Sequence, residues 1–209
     1  MQPPQILAEG IKTLGLSLPA EAPARLLAYQ AELLKWNSAY NLTAIRDPQA
    51  MVTRHLLDSL SLLPLLNDGT LLDVGSGAGL PALVLAIARP ELPVVALDSN
   101  GKKARFMRHA VRALHIDNAR VIEGRVEDLA SGETFPQIVS RAFARLADFV
   151  SLTRHLLAPG GQWVAMKGKL DAGERAALPA DCQVQATHRL QVPGLNEDRH
   201  ALLLTLKSQ

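Results

Sequence analysis

The chain has 209 residues, 48% of them hydrophobic and 20% charged, with a formal net charge of +2. This composition excludes intrinsic disorder, and the longest uncharged apolar stretch, residues 80–88, is shorter than the roughly 20 residues that a membrane span needs. The first residues lack the basic segment of a signal peptide, and the single cysteine, Cys182, excludes an internal disulfide, so we expect a cytoplasmic protein without membrane contact.

The first third of the chain is predicted to be helical. Apolar residues recur at helical spacing in two segments, and a third helix is predicted from Pro48 through Leu60. His55 and Asp58, three residues apart on that helix, are expected to form a local pair with a structural role. We interpret residues 1–68 as an N-terminal helical cap.

From residue 70 onward, short apolar runs alternate with helical segments, which is typical of an α/β fold with a parallel, Rossmann-like sheet. Strands are predicted at residues 71–74, 94–97, 120–122, 138–140 and 162–166, and helices at residues 81–88, 102–114 and 146–157. The last two predicted strands, residues 183–191 and 201–206, leave no room for a crossover helix between them. We therefore expect residues 69–209 to form one domain whose sheet ends in a C-terminal antiparallel hairpin.

A glycine-rich loop, Gly-Ser-Gly-Ala-Gly, follows the first predicted strand at residues 75–79. Gly75 and Gly77 would let backbone amides approach a ligand closely. Leu80 occupies the place of the third glycine in the dinucleotide fingerprint Gly-x-Gly-x-x-Gly, so the spacing favours S-adenosylmethionine over NAD. Asp98 ends the second strand, where a carboxylate can accept hydrogen bonds from ribose hydroxyls.

Two further loops should lie at the same edge of the sheet. Val126 and an acidic residue, Glu127 or Asp128, follow the third strand and are placed to contact an adenine, although a solvated acidic turn explains them equally well. Arg141 follows the fourth strand and is a candidate for a position beside the reacting group.

Positive charge is concentrated in the middle of the chain, because residues 100–169 contain twelve basic and six acidic residues. Such a block favours an anionic partner, and Lys102, Lys103 and Arg105 are candidates for contact with RNA phosphates. A solvated helix surface explains these three equally well. Phe143 is a candidate for stacking on an extruded base. The six scattered histidines and one cysteine have no zinc-binding spacing, so no metal is expected.

The sequence also limits which atom could accept a methyl group from S-adenosylmethionine. The only cysteine lies in the terminal hairpin, which argues against methylation of cytosine C5, and the Asn/Asp-Pro-Pro-Tyr/Phe signature of amine methylation is absent after the fourth strand. Guanine N7 has a free lone pair and needs no proton removal, so positioning and electrostatics can suffice.

Six segments carry a resemblance to a known family, namely residues 36–43, 54–60, 73–81, 97–103, 140–144 and 167–168. Through them nearly the whole chain resembles ribosomal RNA small subunit methyltransferase G, also called glucose-inhibited division protein B. The resemblance implies a class I S-adenosylmethionine-dependent methyltransferase that modifies N7 of a guanine in 16S ribosomal RNA, either naked or within a small subunit or assembly intermediate. It implies cofactor contacts at Gly75, Leu80, Val126, Glu127 and Arg141, with Asp98 on the ribose, and it supplies no catalytic residue.

Three alternatives remain at this point. An NAD-dependent oxidoreductase is disfavoured by Leu80 in place of the third glycine. A non-catalytic RNA-binding module would use the basic block and transfer no methyl group. The third alternative is a methyltransferase that acts on a small molecule.

Overall fold

The computed structural model describes residues 1–129, 132–141, 143 and 145–207. Ala142 and Ala144, which belong to the family-like segment after the fourth strand, lie outside the described residues.

Helices form the N-terminal part of the chain, as predicted. They are α1 (Pro3–Thr13), α2 (Ala22–Tyr40), α3 (Pro48–Met51), a π-helical segment (Val52–Leu57) and α4 (Asp58–Leu60). Asp47 caps α3, because its carboxylate accepts a hydrogen bond from the Ala50 amide at 2.7 Å. The predicted third helix is therefore present, but its centre is π-helical, and π-helical turns occur frequently at functional sites.

The rest of the chain forms one seven-stranded sheet with the order β3-β2-β1-β4-β5-β7-β6. Its strands are β1 (Leu71–Val74), β2 (Val94–Asp98), β3 (Ala119–Glu123), β4 (Phe135–Ser140), β5 (Leu157–Lys167), β6 (Cys182–Arg189) and β7 (His200–Leu206). The first five strands are parallel, whereas β7 runs antiparallel to both β5 and β6. The predicted α/β class, the parallel sheet and the terminal antiparallel hairpin are confirmed.

The helices after β1 are α5 (Ala82–Ala88), α6 (Gly101–Ala113), α7 (Leu146–Thr153) and α8 (Ala172–Ala176). The prediction of helix over residues 146–157 was wrong at its end: a 3-10 turn (Arg154–Leu156) follows α7 and β5 begins at Leu157. The chain extends there because Leu157 pairs with Phe135 of β4. A long-range strand pairing thus overrides the local helical pattern.

Alternating strand residues separate two hydrophobic clusters, one on each face of the sheet. The cap belongs to one of them, since Leu26 of α2 and Leu57 of the π-helical segment share a cluster with Leu83 of α5 and Phe106 of α6. The other cluster contains Phe149 of α7. This packing fixes the cap against the helices that flank β1 and brings it to the edge where the parallel strands end.

Candidate active site

The glycine-rich loop leaves β1 with three residues in the left-handed region, Gly75, Gly77 and Gly79, at φ 75°, 62° and 90°. A Cβ added to Gly77 would meet no atom within 4 Å, so this residue faces open space. A Cβ on Gly79 would lie 2.6 Å from the Leu83 side chain. Gly79 therefore allows the loop to pack on α5, and Gly77 presents backbone to a ligand.

The helical cap also contacts the glycine-rich loop. The buried hydroxyl of Tyr29 in α2 donates a hydrogen bond of 2.7 Å to the carbonyl oxygen of Ala78. Spacing within α2 gives no sign of this contact, because its partner lies 49 residues away along the chain. The cap thus contributes to the shape of the loop.

Asp98 joins the end of β2 to the glycine-rich loop. Its Oδ2 accepts a hydrogen bond from the Gly77 amide at 2.7 Å, and its Oδ1 accepts one from the Asn100 amide at 2.8 Å. A carboxylate oxygen has two acceptor sites, so each oxygen keeps capacity for a ribose hydroxyl. Asp98 can therefore both fix the loop and bind a ligand, whereas the sequence indicated only the second role.

One pocket beside Asp98 brings together several of the predicted cofactor residues. It is lined by Gly75, Asp98, Val126, Glu127 and Phe143. Val126 is buried and Glu127 exposed, as expected for an apolar floor and a polar rim. The ring of Phe143 packs against Phe149, with 5.3 Å between the ring centroids. Phe143 thus lies on the same side as the cofactor candidates, and its role in base stacking stays a prediction.

A second pocket lies on the other side of the glycine-rich loop. Gly77, Leu80, Lys103 and Arg141 line it, together with Thr43 from the cap. Lys103 therefore faces the candidate cofactor site, whereas Lys102 and Arg105 are exposed on α6. The three basic residues predicted as one RNA-binding group do not share one environment.

A third, cationic pocket adjoins the second, and Arg141 lines both. Its other charged residues are Arg54, Asp58, Lys167 and Arg199. Spacing gave no sign of Lys167, which enters this pocket from the end of β5, or of Arg199, which enters it from the loop before β7. Among the six family-like segments, residues 54–60, 140–144 and 167–168 contain residues that line this pocket.

The expected local pair of His55 and Asp58 is wrong. His55 Nε2 lies 2.9 Å from Thr43 Oγ1, and His55 Nδ1 lies 3.0 Å from the Arg54 carbonyl oxygen. The carbonyl can only accept, so Nδ1 carries the proton and Nε2 accepts from the Thr43 hydroxyl. Asp58 instead makes ion pairs with Arg141 at 3.2 Å and Arg199 at 3.3 Å, because permanently charged guanidiniums are better partners than a neutral imidazole.

We expect His55 to make stability depend on pH. Burial, followed by the nearby Arg141, lowers the pKa of His55 from 6.5 to about 4. The unfolded chain therefore binds a proton that the folded chain excludes, so the free energy of unfolding should fall as pH decreases from about 6.5 to about 4. In His55→Gln this part of the decrease should be absent, on the order of 1–3 kcal/mol.

Chemical unfolding of both proteins across this pH range measures the difference. The comparison with His55→Gln is necessary because Asp73 also makes stability depend on pH. Burial raises the pKa of Asp73 to about 7, so the stability that its protonated form contributes is lost as pH rises toward 7 in both proteins. Equal pH slopes for wild type and His55→Gln between pH 4 and 6.5 would show that His55 titrates normally.

Comparisons with known proteins place this chain in a family. Residues 23–203 match the family model described as rRNA small subunit methyltransferase G. The protein of that name from Methylobacillus flagellatus is 53% identical over 203 residues, which cover 96% of this chain and 97% of the relative. The one from Chromohalobacter salexigens is 56% identical over 188 residues, which cover 90% of each. This chain belongs to the rRNA small subunit methyltransferase G family.

Solved structures agree on the fold. TrmN from Thermus thermophilus superimposes with a TM-score of 0.58 at 21% identity, and the match covers 81% of this chain and 53% of the TrmN chain. The glycopeptide N-methyltransferase MtfA in complex with S-adenosyl-L-methionine superimposes with a TM-score of 0.59 at 14% identity, and the match covers 74% of this chain and 88% of the MtfA chain. The resemblance and the methyltransferase class predicted from the sequence are confirmed, and the oxidoreductase alternative is wrong.

Within the described part of the chain, none of the helices combines the length and the apolar character that a membrane span requires. No group of three or more histidine, cysteine, aspartate or glutamate side chains there is arranged to hold a metal ion.

Proposed function

We propose that this rRNA small subunit methyltransferase G family member transfers the methyl group of S-adenosylmethionine to N7 of a guanine in 16S ribosomal RNA. One observation carries the proposal beyond family membership: Arg141 lines both the pocket at the glycine-rich loop and the adjoining cationic pocket. A cofactor on one side and an anionic nucleotide on the other would therefore meet at this side chain.

The residues around the glycine-rich loop fit S-adenosylmethionine. Gly77 opens to the space that a ligand would fill, and Asp98 keeps acceptor capacity for two ribose hydroxyls. Val126 offers an apolar surface for the adenine ring, and Lys103 and Arg141 offer cations for the methionine carboxylate. When bound, S-adenosylmethionine supplies an electrophilic methyl group on a sulfonium.

Guanine N7 suits a site of this composition. Its lone pair attacks without loss of a proton, so no side chain has to act as a general base. The work of the protein is then to orient the guanine and to exclude water, which accounts for much of the rate in reactions of this kind. Arg141 would orient the reactants, and Asp58 keeps its charge balanced through the 3.2 Å ion pair.

RNA binding should depend on the exposed basic residues of α6. We expect the double variant Lys102→Ala/Arg105→Ala to bind 16S ribosomal RNA more weakly. The slope of log binding constant against log salt concentration should become shallower by about 1–2, because RNA binding releases fewer counterions when two phosphate contacts are missing. Binding of S-adenosylmethionine should stay unchanged in it. Lys103→Ala, in contrast, should weaken cofactor binding because Lys103 faces the glycine-rich loop.

Titrations of RNA binding at several salt concentrations measure these slopes. Lys12→Ala/Lys35→Ala, which removes two exposed charges from the cap, is the matched control. A slope equal to that of wild type in the α6 variant would assign Lys102 and Arg105 to a solvated surface without RNA contact.

Methyl transfer itself distinguishes the forms of the substrate. Purified protein with radiolabelled S-adenosylmethionine is offered naked 16S ribosomal RNA, intact small subunits, and precursor particles from assembly. We expect label in the 16S RNA of at least one of the three and place the enzyme in the cytoplasm, where all three occur. Label in none, with transfer to a small molecule from a cell extract, would favour the small-molecule alternative.

A further inference from the structure

Asp58 is a buried carboxylate held between two arginines from distant parts of the chain. Its side chain is 2% exposed. Its Oδ2 lies 3.2 Å from Arg141 Nη1, and its Oδ1 lies 3.3 Å from Arg199 Nε. Arg141 follows β4, Arg199 directly precedes β7, and Asp58 begins α4. One side chain of the cap thus links two elements of the sheet domain.

The link matters because both guanidiniums line the cationic pocket. Two guanidiniums that contact one carboxylate are close enough to repel each other, and in a partly desolvated pocket this repulsion is strong. Arg54 adds a third cation to the pocket. Without a counter-charge between them, the heads of Arg141 and Arg199 would move apart toward solvent.

A second carboxylate extends the arrangement at the rim. Glu197 lies 2.5 Å from Arg54 and 3.2 Å from Arg199. These pairs are substantially exposed and therefore contribute little. Asp58, in contrast, is buried, so its contacts are screened much less and its geometry is held by the surrounding core.

The helix that leads to Asp58 is irregular. The π-helical segment, residues 52–57, ends directly at Asp58, and such segments frequently occur where a side chain must be placed for function. Arg54 of this segment holds its carbonyl oxygen 3.5 Å from Arg141 Nη1, so the same turn contacts the same guanidinium twice. The cap therefore provides two acceptors for Arg141 Nη1.

We propose that Asp58 is a positioning residue, which fixes the guanidiniums of Arg141 and Arg199 so that the cationic pocket presents both to the ribose-phosphate backbone of the acceptor RNA. This inference rests on the proposed function. Asp58 acts through the two arginines and is not a catalytic residue. In metal sites, groups that orient the metal ligands contribute about 10–100-fold to affinity or activity. We expect an effect of similar size from a carboxylate that orients two guanidiniums.

The first test is Asp58→Asn, which keeps the shape of the side chain and removes its charge. We expect kcat/KM for the RNA substrate to fall at least about tenfold, measured well below the melting temperature. In the Arg141→Lys background the same substitution should lower kcat/KM by a smaller factor than it does in the wild-type background, because the guanidinium that Asp58 orients is then absent. Asp181→Asn, which removes a carboxylate from the exposed pair with Arg154, is the control and should leave kcat/KM unchanged.

A purely structural role gives a different result. Asp58→Asn would then lower the melting temperature while the folded protein kept the kcat/KM of wild type, and the proposal would be overturned. If Asp58→Asn does not fold, a cycle between Arg141→Lys and Arg199→Lys measures the same link, since both arginines contact this carboxylate. Non-additive losses in that cycle support the proposal, and additive losses contradict it.

Affinity for 16S ribosomal RNA, measured on the same proteins, separates this inference from the proposed function. If wild type binds the RNA but transfers no methyl group, the proposed function fails. The affinities then decide the role of Asp58: binding weakened at least about fivefold by Asp58→Asn supports it, and unchanged binding overturns it.

Discussion

Replacing Asp98 by alanine should weaken the binding of S-adenosylmethionine by about 10- to 100-fold, equivalent to about 1–3 kcal/mol. The substitution removes the acceptor for ribose hydroxyls and releases the Gly77 amide, which Asp98 holds at 2.7 Å. Asp98→Asn should lie between wild type and Asp98→Ala, because the Gly77 and Asn100 amides donate to different oxygens of Asp98 and an asparagine places an NH2 donor against one of them.

Titration calorimetry of the folded variants measures this affinity. Asp117→Ala, which removes an exposed carboxylate beyond the other end of α6, is the control for the change in net charge. If Asp98→Ala bound S-adenosylmethionine as tightly as wild type did, the cofactor would have to lie elsewhere than at the ends of β1 and β2.

Replacing Arg141 by alanine should lower methyl transfer at least about tenfold, or by roughly 1.4 kcal/mol in barrier height. We expect this loss because Arg141 lines both pockets, and its side chain is 31% exposed and makes an ion pair with Asp58. Arg141→Lys should recover only part of the rate, because an ammonium cannot reproduce the planar guanidinium that Asp58 orients.

Single-turnover kinetics with labelled cofactor measure the effect, and melting temperatures show how much of it is structural. Arg145→Ala is the matched control, since Arg145 is close in sequence but is highly exposed and pairs with Asp148. An Arg141→Ala protein that melts several degrees earlier yet transfers methyl groups at the wild-type rate would make Arg141 a structural residue.

The sheet could be predicted because its signals are local. Each parallel strand contains a short apolar run, and a helical segment of suitable length follows β1, β2 and β4. The glycine-rich loop was recognisable for the same reason. Its glycines adopt positive φ, which other residues rarely do, so the requirement is visible in the sequence as glycine. Local requirements of this kind leave a pattern in a single sequence.

The contacts that complete the site leave no such pattern. Asp58 meets Arg141 from 83 residues away, and the Tyr29 hydroxyl reaches Ala78 across 49 residues. The local expectation that Asp58 pairs with His55 failed because burial brought stronger partners to the carboxylate. Similarly, the contacts of Asp98 with two backbone amides involve groups that every residue carries, so the sequence could indicate Asp98 only as a ligand-binding residue.

The central claim is that this protein methylates N7 of a guanine in 16S ribosomal RNA, and mapping of modified nucleotides tests it most directly. Small-subunit RNA from cells with and without the protein is cleaved chemically at N7-methylguanosine and the cleavage sites are compared. We expect one cleavage site that is present only with the protein and that returns when purified protein and S-adenosylmethionine are added to RNA or particles that lack it. Identical N7-methylguanosine sites in both cell types, with no new site after addition of the protein, would contradict it.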